Sequence, residues 1–278
     1  MLEDNWVLIV EHDLYKRDMM SLLLTRDWRT RVKAEVSTRG EMLKVVEDPH
    51  CRLDVILLDT DMPGNPQWIH DLAATCRDKK SSVPAVLCLG TRTDPDVLQQ
   101  ALDRRYGGYL LEQEVHYSLA EAVIRASQGW WVMTPEIKEL FHREQKHLPE
   151  VWTTIDGSRP LANFTATEHE IARLSLIFSH SQQEIADELQ YSKAASVGEV
   201  ISHIYEKLGL NALLDGSDDP ANYFREGPVL RRFREAQEIY RVNPRSVPDK
   251  ATLAFHLLTL PSVWEQGSLP DKSGRSGR

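Results

Sequence analysis

Cysteine is scarce in this chain and badly spaced for chemistry: Cys51, Cys76 and Cys88 are three thiols in 278 residues. An odd set without a CxxC pair excludes a disulfide framework and a zinc module, and predicts reduced thiols in a cytoplasmic protein. Long hydrophobic runs are missing too. Every apolar stretch is strand-sized, and the acidic start MLEDNWVLIVEHD lacks the form of a signal peptide, so no membrane segment is expected. Positive charge is in deficit, with 33 Lys and Arg against 42 Asp and Glu, a net charge of -9. That balance argues against a general polyanion binder while leaving room for a local basic patch. His142 and His147 lack zinc-motif spacing and no nucleophile and base stand together, so neither an enzyme nor a cofactor is expected.

What the chain does have is length for about two domains and an ordinary composition, 41% hydrophobic and 27% charged. Val55 to Gly64 (VILLDTDMPG) is an unalternated apolar run that stops at an acidic turn. Such a run suits a strand covered on both faces, as in a parallel sheet, and delivers Asp59 to the carboxyl edge where ligands of open α/β sheets sit, with Asp61 beyond it. Trp6 to Val10 is a second such strand and ends in Glu11, His12 and Asp13. Further strands are expected at Val32–Val36, Val83–Gly90 and Gly107–Leu111. Helical patterns fall between them, over Leu14–Arg26, Glu41–Val46, Ile69–Arg77, Pro95–Arg104 and Tyr117–Ser127. That alternation predicts a doubly wound, five-stranded parallel α/β domain.

The whole segment resembles the receiver domain of two-component response regulators, with Asp59 on the phospho-acceptor position. The resemblance implies a Mg²⁺ site with an acidic pair after the first strand, a hydroxyl after the fourth strand and a lysine after the fifth. Glu11 matches the first acid, but the second is His12, a poor Mg²⁺ ligand, unless Asp13 takes its place. Leu89 stands at the hydroxyl position, with Thr91 two residues late, and Glu112 stands at the lysine position. At about 6 Å and an effective dielectric near 20 a charge pair is worth roughly 3 kcal/mol, so the lysine-to-glutamate exchange moves the site about twice that against an added phosphate. The expectation is an unphosphorylated Asp59, a carboxylate at a strand edge bonded to His12 or sharing a proton with a neighbouring acid.

Thr134-Pro135 opens a helix with Ile137, Leu140 and Phe141 on one face, ended by Pro149, and Asp156–Pro160 reads as linker. Phe164 to Leu210 carries three short amphipathic helices. Thr165 with Glu168 and Ser181 with Glu184 form capping boxes, and Val197, Ile201, Ile204 and Leu208 line the third helix before Gly209. The strings FTATEHEIARL, SQQEIADEL and SVGEVISHIYEKLGL resemble the LuxR/NarL-type helix-turn-helix, which implies DNA binding through the third helix. Its outward face offers Lys193, Ser196, Ser202, His203 and Lys207, either a reduced DNA-contact set or a plain solvated surface. Gly198 holds the family's basic position, and acids outnumber bases in this segment, so DNA binding is expected to be weak or partner-assisted.

The tail adds an acidic linker at Asp215–Pro220 and a helix from Pro228 with Val229, Phe233, Ala236 and Tyr240 on one stripe and Arg231, Arg232 and Arg234 near its start. That helix either packs on the protein or supplies phosphate contacts. A further helix is expected at Thr252–Leu260, then a disordered end from Gly267. The expected organisation is a receiver-like domain at 1–127, a helical connector and linker at 128–163, a helix-turn-helix domain at 164–212 and a helical extension with a disordered tail at 213–278. The expected function is a cytoplasmic, homodimeric transcriptional regulator with a degenerate receiver, controlled by oligomerisation, a ligand or a protein partner. The alternative is a protein-interaction regulator whose helix-turn-helix no longer binds DNA.

Overall fold

The computed structural model describes residues 4–62, 84–103, 106–144, 146–158, 164–210 and 247–267. The chain divides into two units, Met1–Ser158 with Pro261–Arg278, and Arg159–Leu260. The expected Ile69–Arg77 helix, the acidic linker and the Val229, Phe233, Ala236 and Tyr240 stripe with its arginines lie outside the described residues.

The first unit alternates strands and helices: β1 (Asn5–Val10), α1 (Leu14–Arg26), β2 (Thr30–Val36), α2 (Arg39–Glu47), β3 (Val55–Asp59), β4 (Ala85–Gly90), α3 (Pro95–Asp103) and β5 (Gly108–Leu111). It continues through α4 (Glu112–Val115), α5 (Leu119–Gln128), β6 (Trp131–Met133), α6 (Pro135–Arg143) and β7 (Trp152–Asp156), and receives β8 (Ser262–Gln266) from the far end of the chain. The five expected strands stand in the order β2-β1-β3-β4-β5, all parallel. β1, β3 and β5 are almost wholly buried, as apolar runs covered on both faces must be. One face packs Leu8, Ile56, Cys88, Tyr109 and Trp131 against Met42, Val97, Leu98, Ile137 and Phe141 from α2, α3 and α6. The other is covered by α1 and α5.

The sheet does not stop at β5. Parallel β6 and β7 and antiparallel β8 extend it to eight strands among the described residues. The segment expected as a helical connector, 128–163, therefore supplies two strands, and the tail expected to be helical supplies a third. Two local features permit this. Gly129, at φ 103°, closes α5 in the left-handed region and turns the chain back. Gly108, at φ 140°, brings β5 so close to β6 that a Cβ there would lie 1.9 Å from the Val132 carbonyl oxygen. Thr134 stands at the N-cap of α6 and turns its hydroxyl to the Leu111 N–H, from which it accepts at 3.1 Å, tying α6 to the end of β5. β8 meets β7 in the register Thr153↔Glu265 and Ile155↔Val263. Glu265 also ends a line of ion pairs that runs from Asp27 through Arg29, Glu121 and Arg125.

The second unit is helical: α7 (Ala166–Ala172), running into a wider π turn (Arg173–Ile177), α8 (Gln182–Glu188), α9 (Ala194–Lys207) and α10 (Val247–Leu258). Both expected capping boxes are formed. The π turn holds a Ser175 hydroxyl that donates to the Ile171 carbonyl at 2.7 Å. Ile171, Leu174, Ile185, Val197 and Ile204 are buried, and α10 packs Leu253, Ala254 and Phe255 into the same unit, largely against the π turn.

Candidate functional site

Four strands of the first unit deliver side chains to one carboxyl edge. Glu11 follows β1, Asp59 ends β3, Leu89 is the register partner of Asp59 on β4, and Glu112 follows β5. Glu11 and Asp59 are completely buried. The Glu11 Oε1 accepts from the Asp13 N–H at 2.7 Å and the Asp59 Oδ1 from the Asp61 N–H at 2.8 Å, which fixes both carboxyls. The Glu11 Oε2 is buried and meets no hydrogen-bond donor among the described residues.

Glu11 is pushed up to about 7, first by burial, then by the charge of Asp59 and the hydrogen bond to it, against the opposing Asp13 N–H. Burial and the neighbouring Asp59 therefore favour the protonated form of Glu11. His12, half exposed, places its Nδ1 3.2 Å from the Glu11 Oε1 and 3.6 Å from the Asp59 Oδ2. Asp13 does not reach the pocket. Its carboxylate caps α1 by accepting from the Lys16 N–H at 3.0 Å, and that bond is what chiefly lowers its pKa.

The cation of the pocket comes from a residue that sequence reading missed. Lys16, on the first turn of α1, sets its Nζ 2.8 Å from the Glu112 Oε1. Hydrogen bonding to Glu112 and the charges of Asp59 and Glu11 raise its pKa against the opposing effect of burial. The acid at the expected lysine position is thus neutralised locally, and the electrostatic penalty reckoned for Glu112 alone is too large. No local pattern signals a contact across 96 residues. Asp61 is tied to the next loop by the Thr91 N–H at 2.9 Å.

Tyr109 was missed as well. Its buried hydroxyl lies 3.2 Å from the Thr60 Oγ1, donates to the Arg92 carbonyl at 3.0 Å and accepts from the Asp94 N–H at 3.1 Å. Gly90 leaves the room for this, since a Cβ there would sit 2.1 Å from the Thr60 Oγ1.

Two triples, Glu11–His12–Asp59 and Asp59–Asp61–Glu112, have ligand atoms within 4.8 Å of one another. Their chemistry does not fit a resident Mg²⁺. The imidazole of His12 is a poor ligand for a hard cation, Lys16 already occupies an oxygen of Glu112, and Glu11 favours its protonated form. A divalent ion would have to displace Lys16 from Glu112 and the proton from Glu11.

In the second unit, Lys193, Ser196, Ser202, His203 and Lys207 all lie on or beside α9, and most of their polar groups are engaged. Lys207 donates to the Glu168 Oε2 at 2.8 Å, and this bond, with the Thr165 N–H, holds Glu168 down at about 2. The Ser202 hydroxyl donates to the Gly198 carbonyl at 3.0 Å, and the His203 Nδ1 lies 3.3 Å from Glu206. Lys193 is exposed at the start of α9 and has no carboxylate partner among the described residues. Gly198 faces the end of Gln182, 3.0 Å from where a Cβ would stand.

No family model matches the chain. Among curated proteins it is similar to the transcriptional regulatory protein LnrK of Bacillus subtilis, 25% identical over 203 residues, which cover 72% of this chain and 88% of the relative. Among solved structures it is similar to a LuxR-family two-component response regulator from Aurantimonas sp. SI85-9A1, at 16% identity and TM-score 0.45 over 51% of this chain and 99% of that one. It is also similar to the RcsB response regulator of Salmonella typhimurium, at 16% identity and TM-score 0.42 over 74% of this chain and 93% of that one. No helix among the described residues is long and apolar enough to cross a membrane.

Proposed function

We propose that this chain is a DNA-binding transcriptional regulator, a homodimer whose receiver-like domain is not switched by phosphorylation of Asp59. The observation that carries the reading is the occupied state of the carboxyl edge. Asp59 is fully buried, its Oδ1 accepts from the Asp61 N–H, and Leu89, its register partner on β4, stands where a phosphoryl group would need a hydroxyl. A phosphoryl group on Asp59 would add charge beside Glu11, Asp61 and Glu112, and Lys16, the nearby cation, is already held by Glu112. Incubation with acetyl phosphate and Mg²⁺ leaves the intact mass unchanged on this reading, and stoichiometric phosphate on Asp59 would overturn it.

The output is assigned to a helix-turn-helix domain at 164–212, with α9 as the helix presented to DNA. Its capping boxes and buried stripe support the assignment, as does the likeness to a protein named as a transcriptional regulator. Binding by one copy is weak, because Lys207 is committed to Glu168 and Lys193 alone offers a cation without a carboxylate partner among the described residues of α9 and its cap. Pairing of two copies, or a protein partner or small ligand, then sets occupancy. Gel-shift titrations over a genomic fragment pool, from low to physiological salt, test this reading. Retention at low salt that fades as salt rises supports it.

A second reading has an observation of its own. The Lys207–Glu168 bond and the contacts of Ser202 and His203 within their own helix commit polar groups of α9 to the protein itself. On that reading the domain binds protein instead of DNA, and absence of retention at low salt would favour it.

A further inference from the structure

We propose that two copies of this chain join along the outer edge of β8, antiparallel about a two-fold axis at Trp264, so that their sheets run on into one another. The proposal rests on the homodimer reading above and names the surface that forms it.

The two ends of the sheet are finished differently. β2, at one end, carries Arg31, Lys33 and Glu35, and its register with β1 skips Lys33, which stands as a bulge. Charged side chains and bulges are what keep a strand edge from pairing with another chain. β8, at the other end, pairs with β7 over five consecutive residues without a bulge and contains neither proline nor a basic residue. Among the described residues no strand lies on its outer side. Trp264 is 50% exposed, where a large aromatic side chain is ordinarily covered. Alternate residues of such an edge turn their N–H and C=O groups outward, and a second extended strand satisfies them.

Charge selects a second copy as that strand. A two-fold pair uses the same patch on both copies, and the β8 sequence SVWEQ is matched to itself in this way. About an axis at Trp264, Val263 faces the second copy's Glu265, Ser262 faces its Gln266, and the two indoles face each other. The one acid of the strand never opposes itself, and its carboxylate is already held by Arg125 of α5. Opposed aromatic pairs are favourable cross-strand neighbours, whereas like charges directly opposite are unfavourable. With a net charge of -9 on each chain, a contact between copies has to avoid meeting acid with acid, and this edge does so.

The test uses the full-length protein. Sedimentation over the micromolar range typical of weak association should show a dimer, and Trp264→Lys, which sets like charges against each other at the axis, should weaken it about tenfold or more. Directly opposed residues stand about 4.5–5.5 Å apart between Cα atoms, within reach of a disulfide. Trp264→Cys should therefore give a covalent dimer under mild oxidation, joined through position 264 by mass analysis of the linked peptide. Gln266→Cys, at another exposed position, should not, because position 266 lies about 13 Å from its own counterpart. The cross-link tests the edge even if Trp264→Lys disturbs β8. A wild-type monomer throughout that range would overturn the homodimer reading and this proposal with it. A dimer that survives Trp264→Lys, or equal cross-linking at positions 264 and 266, would overturn this proposal alone and leave the homodimer standing.

Discussion

Replacing Glu11 by Gln isolates the proton that Glu11 holds. In the folded chain Glu11 is fully buried and pushed up from 4.5 to about 7. A raised folded pKa means that the native state binds the proton more tightly than the unfolded chain. The associated stability is complete below pH 4.5 and is lost as the pH climbs through 7. A shift of about 2.5 units corresponds to about 3 kcal/mol. Glutamine is neutral at every pH, and its amide can donate to Asp59 as the protonated carboxyl does. Glu11→Gln should therefore match the wild type near pH 5 within about 1 kcal/mol and exceed it by about 3 kcal/mol near pH 8.5.

The seven tryptophans, at positions 6, 28, 68, 130, 131, 152 and 264, all belong to the first unit. Urea unfolding followed by tryptophan fluorescence, in buffers free of divalent ions, thus reports on that unit alone. The carboxylates of lowered pKa, Asp13 and Glu168 among them, lose their contribution below the chosen window and cancel in the difference between the two proteins. Parallel pH dependences for wild type and Glu11→Gln would refute the raised pKa of Glu11.

Three other outcomes follow from the same structure. In a double-mutant cycle of Lys16→Met and Glu112→Gln, urea unfolding should give a coupling of about 0.5–1 kcal/mol, since both groups are partly solvated; zero coupling would mean that the pair does not form. Glu121→Ala removes the carboxylate that joins Arg29 to Arg125, each less than a fifth exposed, and with Asp27 and Glu265 still in place should destabilise the first unit by about 2 kcal/mol, read from the urea midpoint. Gly108→Ala drives a methyl group into the Val132 carbonyl from a backbone conformation that alanine avoids, and calorimetry should register a loss of about 3 kcal/mol or more.

The sequence by itself determined the elements whose signal is local. WVLIV, VILLD and AVLCLG read as buried strands because an unalternated apolar run is a property of consecutive residues, and their parallel pairing follows from their alternation with helices. Thr165–Glu168 and Ser181–Glu184 announced their helix starts because a capping box spans only four residues. Asp59 and Glu11 were legible as edge carboxylates because each directly follows its strand.

Tertiary structure decided what depends on distant partners. β6 is three residues long and becomes a strand through its neighbours on both sides, while β8 arrives more than a hundred residues after β7 to form its ladder. Glu112 looked like uncompensated charge until folding set Lys16 against it, and Lys207, open in the sequence between a DNA contact and plain solvated surface, has its ammonium on Glu168, 39 residues earlier. Periodicity and caps are written along the chain, whereas strand pairing and ion pairing are settled by which side chains the packed helices and strands bring within about 3 Å of one another.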